Sequence, residues 1–210
     1  MPAWETGGDF FDVVDMGNGR IGAVIGDVSG KGVPAALYMV KALSEFRFRS
    51  PGALSIEKML NALNESLLDH STSGMFVTLL YLVVDTAART LCYGNAGHLP
   101  LMRKAGGSGG IESLDVGEGI PLGIIRGARY AAHTVVLEKG DLLLLYTDGI
   151  IEARNRKGRE FGLPRLRRIL SSGKAAGPEA MVKRILRSVE RFSKGMPQHD
   201  DLTALAIRIG

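Results

Sequence analysis

The chain has 210 residues, 45% hydrophobic and 23% charged with 28 glycines, the make-up of an ordinary globular protein with one sizeable core rather than a fibrous or disordered one. No apolar run approaches the roughly 20 residues that span a bilayer, and Met1–Thr6 has neither the basic nor the apolar region of a signal peptide, so a cytoplasmic protein with no membrane span is expected. The single cysteine, Cys92, excludes an internal disulfide and a thiolate metal cage, and the formal charge of +4 is modest.

Phe10–Asp15 and Arg20–Asp27 read as strands joined by Met16-Gly17-Asn18-Gly19, since Asn-Gly tolerates the positive φ of a tight hairpin. A helix follows Gly30-Lys31-Gly32, with Pro34 in its first turn and Ala36, Val40, Leu43 and Phe46 or Arg47 at helical spacing, and Pro51-Gly52 ends it. A second helix starts near Ser55, its apolar stripe being Ile56, Met59, Leu60, Leu63 and Leu67. Strands return at Phe76–Asp85 and Thr90–Asn95, and Gly106–Gly110 reads as a surface loop between strand-like patterns. Tyr130–Leu137 and Asp141–Tyr146 suggest a further hairpin around Lys139-Gly140. Arg154, Arg156, Lys157, Arg159, Arg165, Arg167 and Arg168 crowd one segment. It lacks the interleaved aromatics that stack on bases, so it reads as a solvated basic face suited to an acidic partner, not to nucleic acid. A long helix from Pro178 carries Val182, Ile185, Val189 and Phe192 inward, and a strand over Leu202–Ile209 closes the chain. Hairpins before, between and after helices favour an α+β class, antiparallel sheets layered with helices, in a single domain over residues 1–210.

Four acidic clusters each stand at the end of a strand or in the turn after one: Gly7-Gly8-Asp9-Phe10-Phe11-Asp12, Gly26-Asp27-Val28-Ser29-Gly30-Lys31-Gly32, Tyr146-Thr147-Asp148-Gly149 and His199-Asp200-Asp201-Leu202-Thr203. Asp beside Gly is common turn chemistry. Carboxylates drawn by long apolar strands toward one partly buried edge would repel one another, however, unless cations neutralised them. With no cysteine ligands and 4 scattered histidines, the donor set is hard oxygen, suited to Mg²⁺ or Mn²⁺ rather than zinc or copper. The adjacent glycines would let a backbone carbonyl such as that of Val28 join the ligands. Two hard cations roughly 3.5–4 Å apart support phosphoester hydrolysis. Gly17-Asn18-Gly19-Arg20-Ile21-Gly22 matches a dinucleotide fingerprint in letters, but it opens a strand, not a helix. Gly30-Lys31-Gly32 is mis-spaced for a phosphate-binding loop.

At these clusters the sequence resembles the sporulation-E and RsbU-like branch of the PP2C-type (PPM) protein phosphatases. The resemblance extends to Met75-Phe76-Val77-Thr78, Gly94-Asn95-Ala96-Gly97-His98-Leu99-Pro100, Gly119-Ile120-Pro121-Leu122-Gly123 and Phe161-Gly162. It implies an α-β-β-α sandwich of two antiparallel sheets flanked by helix pairs, with a centre of two Mn²⁺ or Mg²⁺ ions. Asp27 then looks like the carboxylate bridging both metals, Val28 the carbonyl ligand, Asp148 and Asp200 ligands of one metal, and Asp9 the aspartate near the other. Asp201 is the alternative to Asp200. Asp12 is read as structural or as a group behind the ligands, and His199 as an orienter of Asp200. Where larger relatives carry a histidine after the bridging motif this chain has Ser29, and Lys31 is the candidate for gripping phosphate; His98 is read as structural.

The resemblance further implies a protein serine/threonine phosphatase acting on a phosphorylated anti-sigma-factor antagonist, behind a sensor or receiver module. The competing reading is a catalytically silent relative that binds a partner through the same surface. Relatives usually have another strand directly before the segment equivalent to Pro2-Ala3-Trp4-Glu5, so weak metal occupancy and homodimers are expected of this chain by itself.

Overall fold

The computed structural model describes residues 7–50, 55–69, 74–114, 119–172 and 177–210. The expected end of the first helix at Pro51-Gly52 and the segment Pro2–Glu5 lie outside them. The described residues divide into two compact units, one drawn from residues 7–100 and 119–137, the other from 101–114 and 138–210.

The first unit holds a five-stranded antiparallel sheet in the order β1-β2-β3-β4-β7. β1 (Phe10–Asp15) and β2 (Arg20–Val28) form the expected hairpin, with positive φ at Gly17, Asn18 and Gly19 in its turn. β3 (Val77–Asp85), β4 (Thr90–Ala96) and β7 (His133–Val136) complete the sheet. Helices α1 (Val33–Arg49) and α2 (Ile56–Asp69) cover one face. Their core partners on the sheet include Phe10, Val24, Val28, Leu79 and Tyr81, and the Phe46 ring meets Tyr81 edge-on at 5.1 Å.

In α2 the predicted stripe is the buried one, joined by the polar Asn64. Asn64 is fully buried because it is fully employed: its amide donates to the Ile125 carbonyl (2.9 Å) and its oxygen accepts Gly123 N–H (3.0 Å) and the Tyr130 hydroxyl (3.3 Å). In α1 the predicted frame was rotated. Ala35, Tyr38, Ala42 and Phe46 face the core, whereas Val40 is 54% exposed. Both faces of α1 carry apolar residues, so periodicity alone did not choose between them.

The second unit holds a four-stranded antiparallel sheet, β6-β5-β8-β9. Its strands are β5 (Leu101–Lys104), β6 (Ile111–Leu114), β8 (Leu142–Tyr146) and β9 (Ala204–Arg208). The short α3 (Asp148–Glu152) is followed by α4 (Gly162–Ser171) and α5 (Pro178–Phe192). α5 buries Met181, Ile185 and Val189, and Phe192 meets Phe161 edge-on at 5.4 Å.

The expected hairpin of residues 130–137 and 141–146 does not form. β7 pairs with β4, and β8 pairs with β5 and β9 in the other sheet. The intervening turn is a crossing held from both sides. Leu137 N–H donates to Arg89 O (2.8 Å), and Gly140 N–H to Ile209 O (2.9 Å). Asp141 anchors it, accepting Glu138 N–H, Gly106 N–H and Arg103 Nε at 2.8–2.9 Å. Burial opposes ionisation of Asp141, but those donors outweigh it and hold the carboxyl below its ordinary range.

Candidate functional site

The candidate residues fall into two groups, one in each unit. In the first unit, Asp27 and Val28 end β2, opposite Thr78 and Val77 of β3. The ladder runs on past them: Ser29 N–H donates to Phe76 O (2.9 Å) and Phe76 N–H donates back to Ser29 Oγ (2.8 Å). Ser29 therefore ties down the strand end that presents Asp27. Gly8 lies against the same end, its carbonyl accepting Val28 N–H at 3.3 Å. A Cβ on Gly8 would stand 2.9 Å from Val28 O and 3.2 Å from Asp27 Oδ1, so only glycine lets this backbone approach both oxygens.

Asp9, next in the chain, is half-buried, as is Asp27. His98 joins the same end through Thr78, with Nδ1 2.9 Å from Thr78 Oγ1. Its backbone is clamped by Asn95, which accepts His98 N–H (2.7 Å) and donates to His98 O (2.8 Å). Lys31 is exposed just beyond the strand end. Asp12 stands apart from this group. It is 7% exposed and grips Arg47 of α1 through two hydrogen bonds, 2.5 Å from Nε and 2.8 Å from Nη2. The hydrogen bonds from Arg47 hold its carboxyl below the ordinary range against the opposing effect of burial.

In the second unit, β8 and β9 pair up to Tyr146 and Ala204. Beyond that pair Thr147 N–H donates to Thr203 O (3.1 Å), and Thr203 N–H donates to Thr147 Oγ1 (3.2 Å). This closes the strand ends just where Asp148 leaves one and Asp200–Asp201 enters the other. Gly149 packs so tightly on the Asp201 carbonyl that no Cβ fits between them. Asp201 is 6% exposed and donates its N–H to Asp200 Oδ1 (2.9 Å), while Asp200 and His199 are exposed. The more accessible carboxylate of the pair is thus Asp200.

Sequence reasoning missed Glu152, at the far end of α3. Although Glu152 is exposed, desolvation and then repulsion from Asp148, Glu160 and Asp200 hold its carboxyl above the ordinary range. No glycine marks Glu152; its helical spacing of four from Asp148 was the available signal.

The donor chemistry suits a hard divalent cation in each group: carboxylates, with the Val28 carbonyl beside a missing side chain. Among the described residues, no three His, Cys, Asp or Glu groups form a cluster close enough to hold a metal ion. Nor is any helix among them long and apolar enough to cross a membrane.

A family model described as stage II sporulation protein E (SpoIIE) matches residues 17–210. Protein IcfG of Synechocystis is 30% identical over 98% of this chain, and phosphoserine phosphatase RsbU of Bacillus subtilis 28% identical over 99%. The chain spans 36% and 61% of the length of those two relatives. Among solved structures, the SiaA PP2C domain of Pseudomonas aeruginosa superposes with a TM-score of 0.88 at 21% identity, covering all of this chain and 83% of that one. The structure of the PP2C phosphatase domain and a regulatory fragment of SpoIIE from B. subtilis gives 0.82 at 22% identity, covering 96% and 58%. Two antiparallel sheets with their helices reproduce the fold of those domains. The chain belongs to the SpoIIE family of PP2C-type serine phosphatases.

Proposed function

We propose that this chain is a Mn²⁺- or Mg²⁺-dependent phosphatase that hydrolyses phosphoserine or phosphothreonine on a small regulatory protein of the anti-sigma-factor-antagonist kind. The observation that carries this reading is the closure of the β8 and β9 ends by Thr147 and Thr203, which sets Asp148 beside Asp200. The family supports it, since the similar RsbU is named a phosphoserine phosphatase.

In this reading the residues that would hold metal are Asp9, Asp27 and the Val28 carbonyl, and Asp148 and Asp200. When bound, two such cations supply Lewis acidity at the phosphoryl group and an ionised water for in-line attack. The chain's own residues do the positioning. Gly8 leaves the Val28 carbonyl accessible, Ser29 fixes the strand end, and His98 braces Thr78 opposite Asp27. The Asp201 N–H aims the Asp200 carboxylate, and Lys31, exposed beyond the end of β2, is the residue assigned to a phosphate oxygen. Ser29, its oxygen accepting a backbone N–H, serves as a strand-end staple rather than as the proton donor that a histidine provides in larger relatives.

The test is turnover of a phosphoserine protein and of p-nitrophenyl phosphate, with and without Mn²⁺, by the wild type and by Asp27→Asn. Activity is expected only with metal. The variant, unchanged in volume, should fold normally, lose turnover by about two orders of magnitude or more, and bind Mn²⁺ more weakly in equilibrium dialysis. Metal-independent turnover, or a variant that keeps most of its activity, would overturn the reading.

A further inference from the structure

The segment between α3 and α4 is a small hairpin. Phe161 N–H donates to Ala153 O (2.8 Å), Arg154 pairs with Glu160 across it, and their side chains form an ion pair at 3.0 Å. Its turn is closed by Asn155 N–H to Arg159 O (3.0 Å), while Asn155 Oδ1 accepts the N–H groups of Lys157 (2.9 Å) and Arg159 (3.1 Å). The base is anchored. Phe161 is 2% exposed, and Arg165 donates to the carbonyls of Glu160 (3.1 Å) and Phe161 (2.6 Å) with its guanidinium 4.6 Å above the Phe192 ring. Arg165 is thus occupied with structure, and Arg167 with Ser113 Oγ (2.7 Å).

The tip is different. Residues 155–159 hold Arg156, Lys157 and Arg159 and no acid, a local charge of +3, and all three cations are exposed. Arg156 lies along the segment that leads to Asp200: a Cβ on Gly195 would come 2.9 Å from its Nε, and exposed Lys194 adjoins. A hydrogen-bonded cationic arm therefore belongs to the same unit as the acids Asp148, Glu152 and Asp200.

Distance decides what the arm can touch. The five residues of α3 cover about 7.5 Å at helical rise, and the arm adds about 10 Å at strand rise. Laid end to end, these lengths set an upper limit of about 18 Å between Asp148 and the tip cations. The tip cations fall inside the footprint of a protein partner, since about 800 Å² per side corresponds to roughly 28 Å across.

We propose that the hairpin of residues 153–161 is a docking arm for an acidic stretch flanking the phosphoserine of the substrate protein. The phosphoserine is taken from the function proposed above; the arm's preference for acidic chain is not. Opposite signs on the arm and on those acids would fix the direction in which such a segment lies.

Fluorescein-labelled phosphoserine peptides with acidic or basic flanks, titrated in EDTA and followed by anisotropy, test this without turnover. The acidic peptide is expected to bind at least about tenfold more tightly than the basic one at about 0.05 M salt, with the gap shrinking at about 0.3 M. Lys157→Glu with Arg159→Glu should erase the preference at unchanged melting temperature, and the Gln pair should give an intermediate loss. Hydrolysis of p-nitrophenyl phosphate with Mn²⁺ should be the same in all of them. Equal binding of both peptides, or a charge-reversed variant that keeps the preference, overturns the arm. So does a single-stranded oligonucleotide that binds tighter than the acidic peptide and is released by the reversal. Loss of p-nitrophenyl phosphate hydrolysis in every protein, wild type included, would instead strike the phosphatase reading, and peptide binding would still decide the arm.

Discussion

Asp12 and Asp27 are both aspartates on strands beside glycine-rich turns, and the structure gives them different work. Asp12 spends both oxygens on Arg47, tying β1 to α1, whereas Asp27 stands at a strand end beside Gly8. The ion pair has a pH signature. The Asp12 carboxyl is held below its ordinary value, so its contribution to stability is complete above the unfolded pKa and is lost as pH falls through the folded one. Asp12→Asn should therefore melt a few degrees below the wild type from about pH 5 to pH 8, and the gap should close at more acid pH. A gap that persists undiminished in acid would mean that packing, not charge, holds β1 to α1. At this scale the strand-end placement of the candidate residues was legible, because Gly-Asp, Asp-Gly and Asp-Asp mark Asp27, Asp148 and Asp200 in the letters alone. The approach of Gly8 to Val28 was not, since residues 20 apart meet only through the β1–β2 hairpin.

Among the elements, α2 was legible and α1 was not, and the reason is the same in both. α2 has one apolar stripe opposite a polar face. α1 has two: Ala35, Tyr38, Ala42 and Phe46 pack inward, while Val33, Leu37, Val40 and Phe48 are exposed by 54–82% on the other side. The two faces should respond oppositely to truncation. Phe46→Ala is expected to cost about 3–5 kcal/mol through the cavity left against Tyr81. Leu37→Ser or Val40→Ser should shift the denaturation midpoint by no more than about 0.5 kcal/mol. A large loss from Leu37→Ser would show that the outer stripe is covered in solution. α4 escaped the sequence reading because Pro164 and its arginines obscure the stripe made by Leu166 and Leu170. Residues 130–146 misled for another reason: a turn sequence reports local geometry, whereas the partners of β7 and β8 lie some forty residues or more away in the chain, at Thr90–Tyr93, Met102–Lys104 and Ala204–Arg208.

Among the described residues, each unit is assembled from two separate stretches, and the chain passes between them after residues 100, 114 and 137. The acidic clusters are divided the same way, Asp9 and Asp27 in one unit, Asp148 and Asp200 in the other. Deleting residues 204–210 removes β9, an edge of the four-stranded sheet and the strand that follows Asp200. Hydrogen exchange on that truncated chain should show protection lost first in β5 and β8, with Mn²⁺ binding lost as well. Protection that fails first in β1 and β2 would contradict the division. β9 also has a consequence during synthesis. Its residues are translated long after those of β8, and β8, buried along its whole length, waits for them with one side of its ladder open. The β8–β9 end that sets Asp148 beside Asp200 thus cannot close until β9 has been made, so a ribosome stalled shortly before β9 would carry every candidate aspartate and no closed strand end to hold that pair together.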